Sequence, residues 1–259
     1  MIDLAKLPEL SVVILAAGKG TRMKNPDMAK VMYDMNGKPM IDYVLELAAR
    51  IQAKRVLLVV GWRKEAVMEH VSKTRPQVQF VEQNEQLGTG HAILQTMPPL
   101  AEATGDVLVL SGDVPLLTEK TANALIGYHR TSEAAATILT AELGDPTGYG
   151  RIVRNDDGSV RKIVEHKDAS KAELEIREIN SGIYLFEKQK LFESLPHLGS
   201  SNAQGEYYLT DVFDLFWKNK WRVSAVKAID PAEVMGINDF AQLESARSVL
   251  ASRTAAPAV

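Results

Sequence analysis

Side chains suited to phosphate chemistry gather early in the chain. The run AAGKGTRM at residues 16–23 supplies Gly18, Lys19, Gly20 and Arg22, and Lys30 follows in a polar stretch. Ala16 and Ala17 let a ligand approach the backbone, and Gly18 and Gly20 permit the positive φ angles that turn peptide N–H groups towards an anion. Lys19 and Arg22 add charge. Such a loop cradles a phosphate-bearing ligand or is an ordinary glycine-rich turn, and the loop by itself leaves both open. Asp113 is the acidic counterpart. Only Ser111 and Gly112 separate it from the apolar run 107–110, which places its carboxylate at the carboxyl end of a strand. Magnesium takes one or two protein oxygens and completes its shell with water and phosphate, so an aspartate at this place is a metal candidate. The competing role is a turn aspartate bonded to its own backbone.

Spacing removes two familiar chemistries. A dinucleotide fingerprint needs a third glycine where Met23 stands, and the run 56–60 ends in Gly61 rather than in an acidic ribose ligand. A Walker loop needs Gly-Lys-Ser/Thr after four intervening residues, and no such run occurs. A nucleotide-binding turn of another kind remains. With no cysteine there is no disulfide, thiolate nucleophile or Cys-ligated zinc. His91, His166 and the other histidines are not spaced as a ligand cluster and read as ordinary polar residues. Met32, Met35 and Met40 read as packing in the core or a lid. A net charge of -3 gives no general attraction to nucleic acid or anionic membrane, so neither is an expected partner. The start MIDLAKLPEL lacks the pattern of a signal peptide, and no apolar run reaches membrane-spanning length, so a cytoplasmic protein is expected.

The elements that must position these groups alternate in the first half. Apolar runs at 12–15, 56–60, 78–82 and 106–110 read as buried strands, with helices at 64–73 and 88–97. Pro39 suits a helical first turn, and Met40, Val44, Leu47, Ala48 and Ile51 recur at helical spacing. Alternation of strand and helix implies right-handed crossovers, a mainly parallel sheet with helices on both faces, and ligands beyond the carboxyl ends of the strands. From 134 onward, short β segments at 135–142, 150–154, 160–165 and 178–186 follow one another closely, which suggests an antiparallel or mixed addition forming a second wall. The charge-rich stretch 165–178 reads as a solvated helix, 207–220 as a helix with Leu209, Val212, Phe213 and Phe216 on one stripe, and 239–253 as the last helix. Residues 254–259 are expected to be a disordered tail. The fold class is therefore α/β with a mixed, mainly parallel, Rossmann-like sheet.

Seven ordered blocks carry a resemblance: LAAGKGTRM at 15–23, EQLGTGHA at 85–92, GDVPLL at 112–117, DPTGYGRI at 145–152, IVEHKDA at 163–169, EINSGIY at 178–184 and NAQGEYYLTD at 202–211. Together they resemble the bacterial N-acetylglucosamine-1-phosphate uridyltransferases, members of the nucleotide-diphospho-sugar transferase fold. Ala29 and Ser111 depart from that pattern, where relatives often carry proline and an aromatic residue. The resemblance implies one nucleotidyltransferase domain over 1–253, with a nucleotide half over about 1–117, a sugar half over about 118–237 and a closing helix. Family members usually add a hexapeptide-repeat acetyltransferase, and no block here matches it, so acetyl transfer is not expected of these residues.

The implied reaction joins UTP and N-acetylglucosamine 1-phosphate into UDP-N-acetylglucosamine and pyrophosphate, with Mg²⁺ as cofactor. Arg22 and Lys30 would hold the triphosphate and offset charge in the transition state. By resemblance Leu15, Ala16, Ala17, Gly18, Gln83, Gly88, Thr89, Ser111 and Gly112 bind the nucleotide, and an amide such as Gln83 can donate and accept as the uracil edge requires. Gly150, Glu165, Asn180, Tyr208 and Thr210 fall on the sugar, with core packing the competing role for Tyr208. Asp113 and Asn238 fall on the metal. Asn238 alternatively caps the final helix. Two other functions stay open at this stage: a nucleotidyltransferase for a different sugar phosphate, and a silent nucleotide-sugar-binding module.

Overall fold

The computed structural model describes residues 8–23, 25 and 27–255. Its sheet runs in the order β3 (Gln79–Glu82), β2 (Arg55–Val60), β1 (Leu10–Ala16), β4 (Asp106–Ser111), β8 (Glu178–Glu187), β5 (Ala136–Glu142) and β9 (Val223–Lys227). The first half contributes β1 (Leu10–Ala16), α1 (Met40–Arg50), β2 (Arg55–Val60), α2 (Lys64–Thr74), β3 (Gln79–Glu82), α3 (Thr89–Leu94) and β4 (Asp106–Ser111). β1 lies between β2 and β4, and all of these pairings, with β2 on β3, are parallel. Their residues alternate between two faces. Val12, Ile14, Leu108 and Leu110 pack with Val44, Leu45 and Leu47 of α1 and Val67 and Val71 of α2. Val13, Val107 and Val109 pack on the other face with Ala92 and Ile93 of α3. Two apolar faces explain why these strands read as unbroken hydrophobic runs.

The second half is mixed. α4 (Glu119–Thr131) leads into β5 (Ala136–Glu142), β6 (Gly150–Arg154), β7 (Val160–Val164), α5 (Lys171–Leu174), β8 (Glu178–Glu187), α6 (Lys188–Ser194), α7 (Val212–Lys218), β9 (Val223–Lys227) and α8 (Phe240–Ala255). β8 runs antiparallel to both β4 and β5, and β6 pairs with the start of β8, bringing Gly150 opposite Asn180. An aromatic cluster of Tyr184, Phe186, Phe213 and Phe216 fixes α7 against β8.

Several expectations need correction. The pattern reading passed over α4, α6 and β9. For α4 the signal was present, since Thr118 caps it by accepting the N–H of Thr121, and Ala122, Leu125 and Ile126 form its buried stripe. The helix expected at 165–178 is only the single turn α5, because Glu165 and Asp168 are engaged elsewhere and a Ser170–Glu173 capping box starts the helix late. Helix 207–220 is divided into a 3-10 turn, Leu209–Asp211, and α7. Thr254 and Ala255 belong to α8 instead of a tail, and residues 256–259 lie outside the described residues, as do 1–7.

Candidate active site

The carboxyl ends of β1, β3 and β4 open into a cavity of about 500 Å³ lined by Leu15, Ala16, Ala17, Gly18, Lys19, Lys30, Gln83, Gly88, Thr89, Ser111 and Asp113. The floor is built from backbone. Gly112 donates its N–H to Leu15 O at 2.9 Å, and Trp62 donates its N–H to Ala17 O at 3.1 Å, so the loop after β1 is tied to the strands on either side. Gly88 has φ +110, and a Cβ there would come within 2.6 Å of Tyr207 O. Only glycine lets the segment after β3 and the segment before α7 pass this closely. Gln86 and Glu206 also line the cavity; both lie within the blocks at 85–92 and 202–211, but neither had been assigned a role.

Gly112 is buried beneath the cavity rather than lining it. A Cβ there would stand 3.0 Å from Val31 and 3.3 Å from Ile41, so its role is close packing. Gln83 is buried, and its Nε2 donates to Gly88 O at 3.0 Å and lies 3.1 Å from His91 Nδ1. The amide nitrogen is thus engaged within the chain and Oε1 is left as the acceptor. This narrows the expected donate-and-accept role. His91 itself lies between Gln83 and Gln95 and packs beside Tyr207 at 6.3 Å between ring centroids. Thr89 accepts the N–H of Leu209 at 3.1 Å.

Lys30, Asp113 and Asn238 converge from distant parts of the chain. Lys30 Nζ donates to Asp113 Oδ2, and to Asn238 Oδ1 at 3.0 Å. Backbone holds Asp113 and Asn238 near each other, because Ile237 N–H donates to Asp113 O at 2.9 Å. α8 anchors that loop through Ile237, Leu243 and Ala246, which pack with Met23, Met35 and Met40. Asn238 does not cap α8. Asp239 takes that place, accepting the N–H of Gln242 at 2.9 Å, while Asn238 Nδ2 turns to Gly236 O. Arg22 stands on the turn Thr21–Met23, exposed and outside the cavity wall. Its charge acts on the Tyr149 hydroxyl, which accepts the N–H of Gly236 at 3.2 Å. Burial raises the Tyr149 pKa, and the Asp113 charge adds to the rise.

One carboxylate oxygen and one amide oxygen already share a single cation, the Lys30 ammonium, so the pair can hold a hard divalent ion. Among the described residues no group of three His, Cys, Asp or Glu gathers as a metal cage. A metal here would complete its shell with water and substrate oxygens.

A second cluster borders the first. A Cβ at Gly150 would lie 3.3 Å from Glu165 Oε2 and 3.4 Å from Asn180 Cβ, so the three are contiguous. Thr210 donates to Glu165 Oε1 at 3.3 Å, and Asn180 Nδ2 donates to Tyr184 OH at 2.7 Å. Burial raises the Glu165 pKa against the lowering by Thr210, and Asp211, Asp168 and Glu206 add repulsion. Tyr208 is buried, with its hydroxyl between Gln204 and Asp168. A Cβ at Gly182, two residues beyond Asn180 on β8, would lie 3.9 Å from the Ser111 hydroxyl on the cavity wall.

A parallel-sheet cavity with small-residue loops, and a carboxylate–amide–lysine centre beside it, defines a nucleotide-handling α/β protein of the transferase type. Residues 12–206 match the model of the MobA-like NTP transferase domain, and the chain belongs to that family. It is similar to the "Bifunctional protein GlmU" of Brevibacillus brevis, 46% identical over 247 residues, covering 95% of this chain and 53% of that protein. The protein of the same name from Acetivibrio thermocellus is 48% identical over 244 residues, covering 94% and 52%. The chain therefore spans about half the length of the curated relatives it matches. Among solved structures it shares its fold with HddC from Yersinia pseudotuberculosis (TM-score 0.69, 24% identity, covering 93% of this chain and 99% of that one). A UDP-glucose pyrophosphorylase complexed with UDP-glucose gives a TM-score of 0.74 at 17% identity, covering 95% and 99%. Among the described residues no helix is long and apolar enough to cross a membrane.

Proposed function

We propose that this chain is a cytoplasmic uridyltransferase that makes UDP-N-acetylglucosamine and pyrophosphate from UTP and N-acetylglucosamine 1-phosphate. The observation that carries the reading is the meeting of Lys30, Asp113 and Asn238 at the edge of the cavity, with Gly150, Glu165, Asn180 and Thr210 contiguous beside it. Relatives named as bifunctional GlmU proteins and the NTP transferase domain support it. A phosphate oxygen of the sugar phosphate attacks the α-phosphorus of UTP, the new P–O bond forms, and the bond from the α-phosphorus to the β-phosphate oxygen breaks. No covalent enzyme intermediate is required. The protein's task is to hold two anions in line and offset their charge.

Leu15, Ala16, Ala17 and Gly18 present backbone to the nucleotide, and Gln83 Oε1 accepts from the base. Gly88, Thr89 and Ser111 shape the walls, and buried Gly112 supports the floor. Glu165 and Asn180 take sugar hydroxyl and acetamide groups, Gly150 leaves them room, and Thr210 and Tyr208 hold the glutamate and the loop behind it. Arg22 and Lys30 steady the leaving pyrophosphate. Asp113 and Asn238 would hold Mg²⁺, which when bound supplies further neutralisation of phosphate charge. The nucleotide half over about 1–117 and the sugar half over about 118–237 act as one domain.

The test is pyrophosphate release from UTP with a panel of sugar 1-phosphates, with and without Mg²⁺. Preference for N-acetylglucosamine 1-phosphate is expected. Preference for another sugar moves the protein to a different nucleotidyltransferase, and no release with any sugar leaves the silent binding module.

A further inference from the structure

The Lys30 ammonium stands where the two metal-ligand candidates converge, donating to both Asp113 Oδ2 and Asn238 Oδ1. The Lys30 and Asp113 side chains keep only 15% and 19% of their exposure, so water does not readily separate them. A divalent ion on these oxygens would stand close to the ammonium that already occupies them, and the two charges repel at short range. The stem of Lys30 is directed by its surroundings. A Cβ at Gly20, itself at φ +59, would lie 2.7 Å from Lys30 Cβ, so the phosphate-loop candidate lies directly on the lysine. Val31 and Ala29 are buried on either side and hold the backbone, while the four-carbon side chain keeps its own torsions.

We propose that Lys30 and the divalent cation compete for Asp113 and Asn238, so that the lysine holds the metal site closed until the phosphates of a bound nucleotide take its ammonium. The idea rests on the metal reading above and adds an order to it. The nucleotide loop reports its occupancy to the metal ligands through one side chain, and metal binding without nucleotide is kept weak. Coupling of this kind is reciprocal, so a cation on Asp113 also frees Lys30 for phosphate.

The experiment is Mn²⁺ titration of the protein without nucleotide, followed by the paramagnetic signal of free Mn²⁺, for wild type, Lys30→Met, Lys30→Ala and Asp113→Asn. Melting temperatures with and without Mn²⁺ accompany it. Both Lys30 variants should bind Mn²⁺ alone at least tenfold more tightly than wild type and gain more thermal protection from it. The double variant Lys30→Met/Asp113→Asn should lose that gain. Affinities of both Lys30 variants within twofold of wild type would overturn the competition. The metal reading fails separately if Asp113→Asn alone leaves Mn²⁺ binding in the presence of UTP unchanged.

Discussion

Asp211 offers a perturbation whose sign and size follow from its surroundings. Its carboxyl is partly buried at the end of the turn Leu209–Asp211, takes no hydrogen bond from the described residues, and feels Asp214 and Asp168. Burial first, then these two charges, raise its pKa from 3.8 to about 6. A folded pKa above the unfolded one means that the native state binds the proton more tightly. Its contribution is therefore fully favourable below pH 3.8 and is lost as pH rises to about 6, after which the loss is constant. Roughly two pH units at about 1.4 kcal/mol each give about 3 kcal/mol, and solvent access at a half-open site reduces this to about 1–2 kcal/mol. Asp211→Asn removes the ionisation and keeps the shape. Urea unfolding of both proteins from pH 3.5 to 8 should show equal stability at the acid end. A gap in favour of the variant should open between about pH 4 and 6 and stay level above. High salt should shrink the gap only partly, since burial, the larger cause, is not screened. A difference that does not change with pH, or a variant less stable than wild type at pH 8, would refute the reasoning.

Asp113→Asn should lower turnover about a hundredfold, on the order of 3 kcal/mol of transition-state stabilisation, with little change in melting temperature; steady-state kinetics with a Mg²⁺ titration checks it. Gly88→Ala forces a side chain into φ +110 and against Tyr207 O, so a loss of about 1–3 kcal/mol in chemical unfolding and weaker UTP binding by calorimetry are expected. Glu165→Gln should raise KM for the sugar phosphate while leaving KM for UTP within about threefold, because Glu165 faces Gly150 and Asn180 and not the cavity floor. Since burial raises the Glu165 pKa, that variant should also gain stability relative to wild type as pH rises above 4.5.

Local signals in the chain were enough for the first half of the sheet, because strands covered on both faces leave continuous apolar runs and small-residue loops mark their carboxyl ends. They failed where tertiary packing outweighs pattern. α6 and β9 are short, and β9 is only half-buried at the sheet edge, so neither leaves a strong period in the sequence. Residues 165–178 look helical by composition, yet Asp168 accepts from Ala203 N–H and Glu165 from Thr210, which pulls most of the segment out of a helix.

By itself the sequence determined the small, basic loop at residues 16–22, the placing of Asp113 at a strand end, and, through ordered blocks, the family. These are properties of residue type and short spacing. The tertiary structure alone decided that Asn238 turns to Lys30 while Asp239 caps α8, that Gln83 has only its oxygen to offer, that Gly112 is packing, and that Tyr149 reaches the loop beside Asp113. The Lys30–Asn238 and Gly236–Tyr149 bonds join groups 208 and 87 positions apart, and the space around Gly112 is set by Val31 and Ile41 from elsewhere in the chain. Which partner a polar group finds is set by how the layers pack, and no local pattern along the chain encodes it.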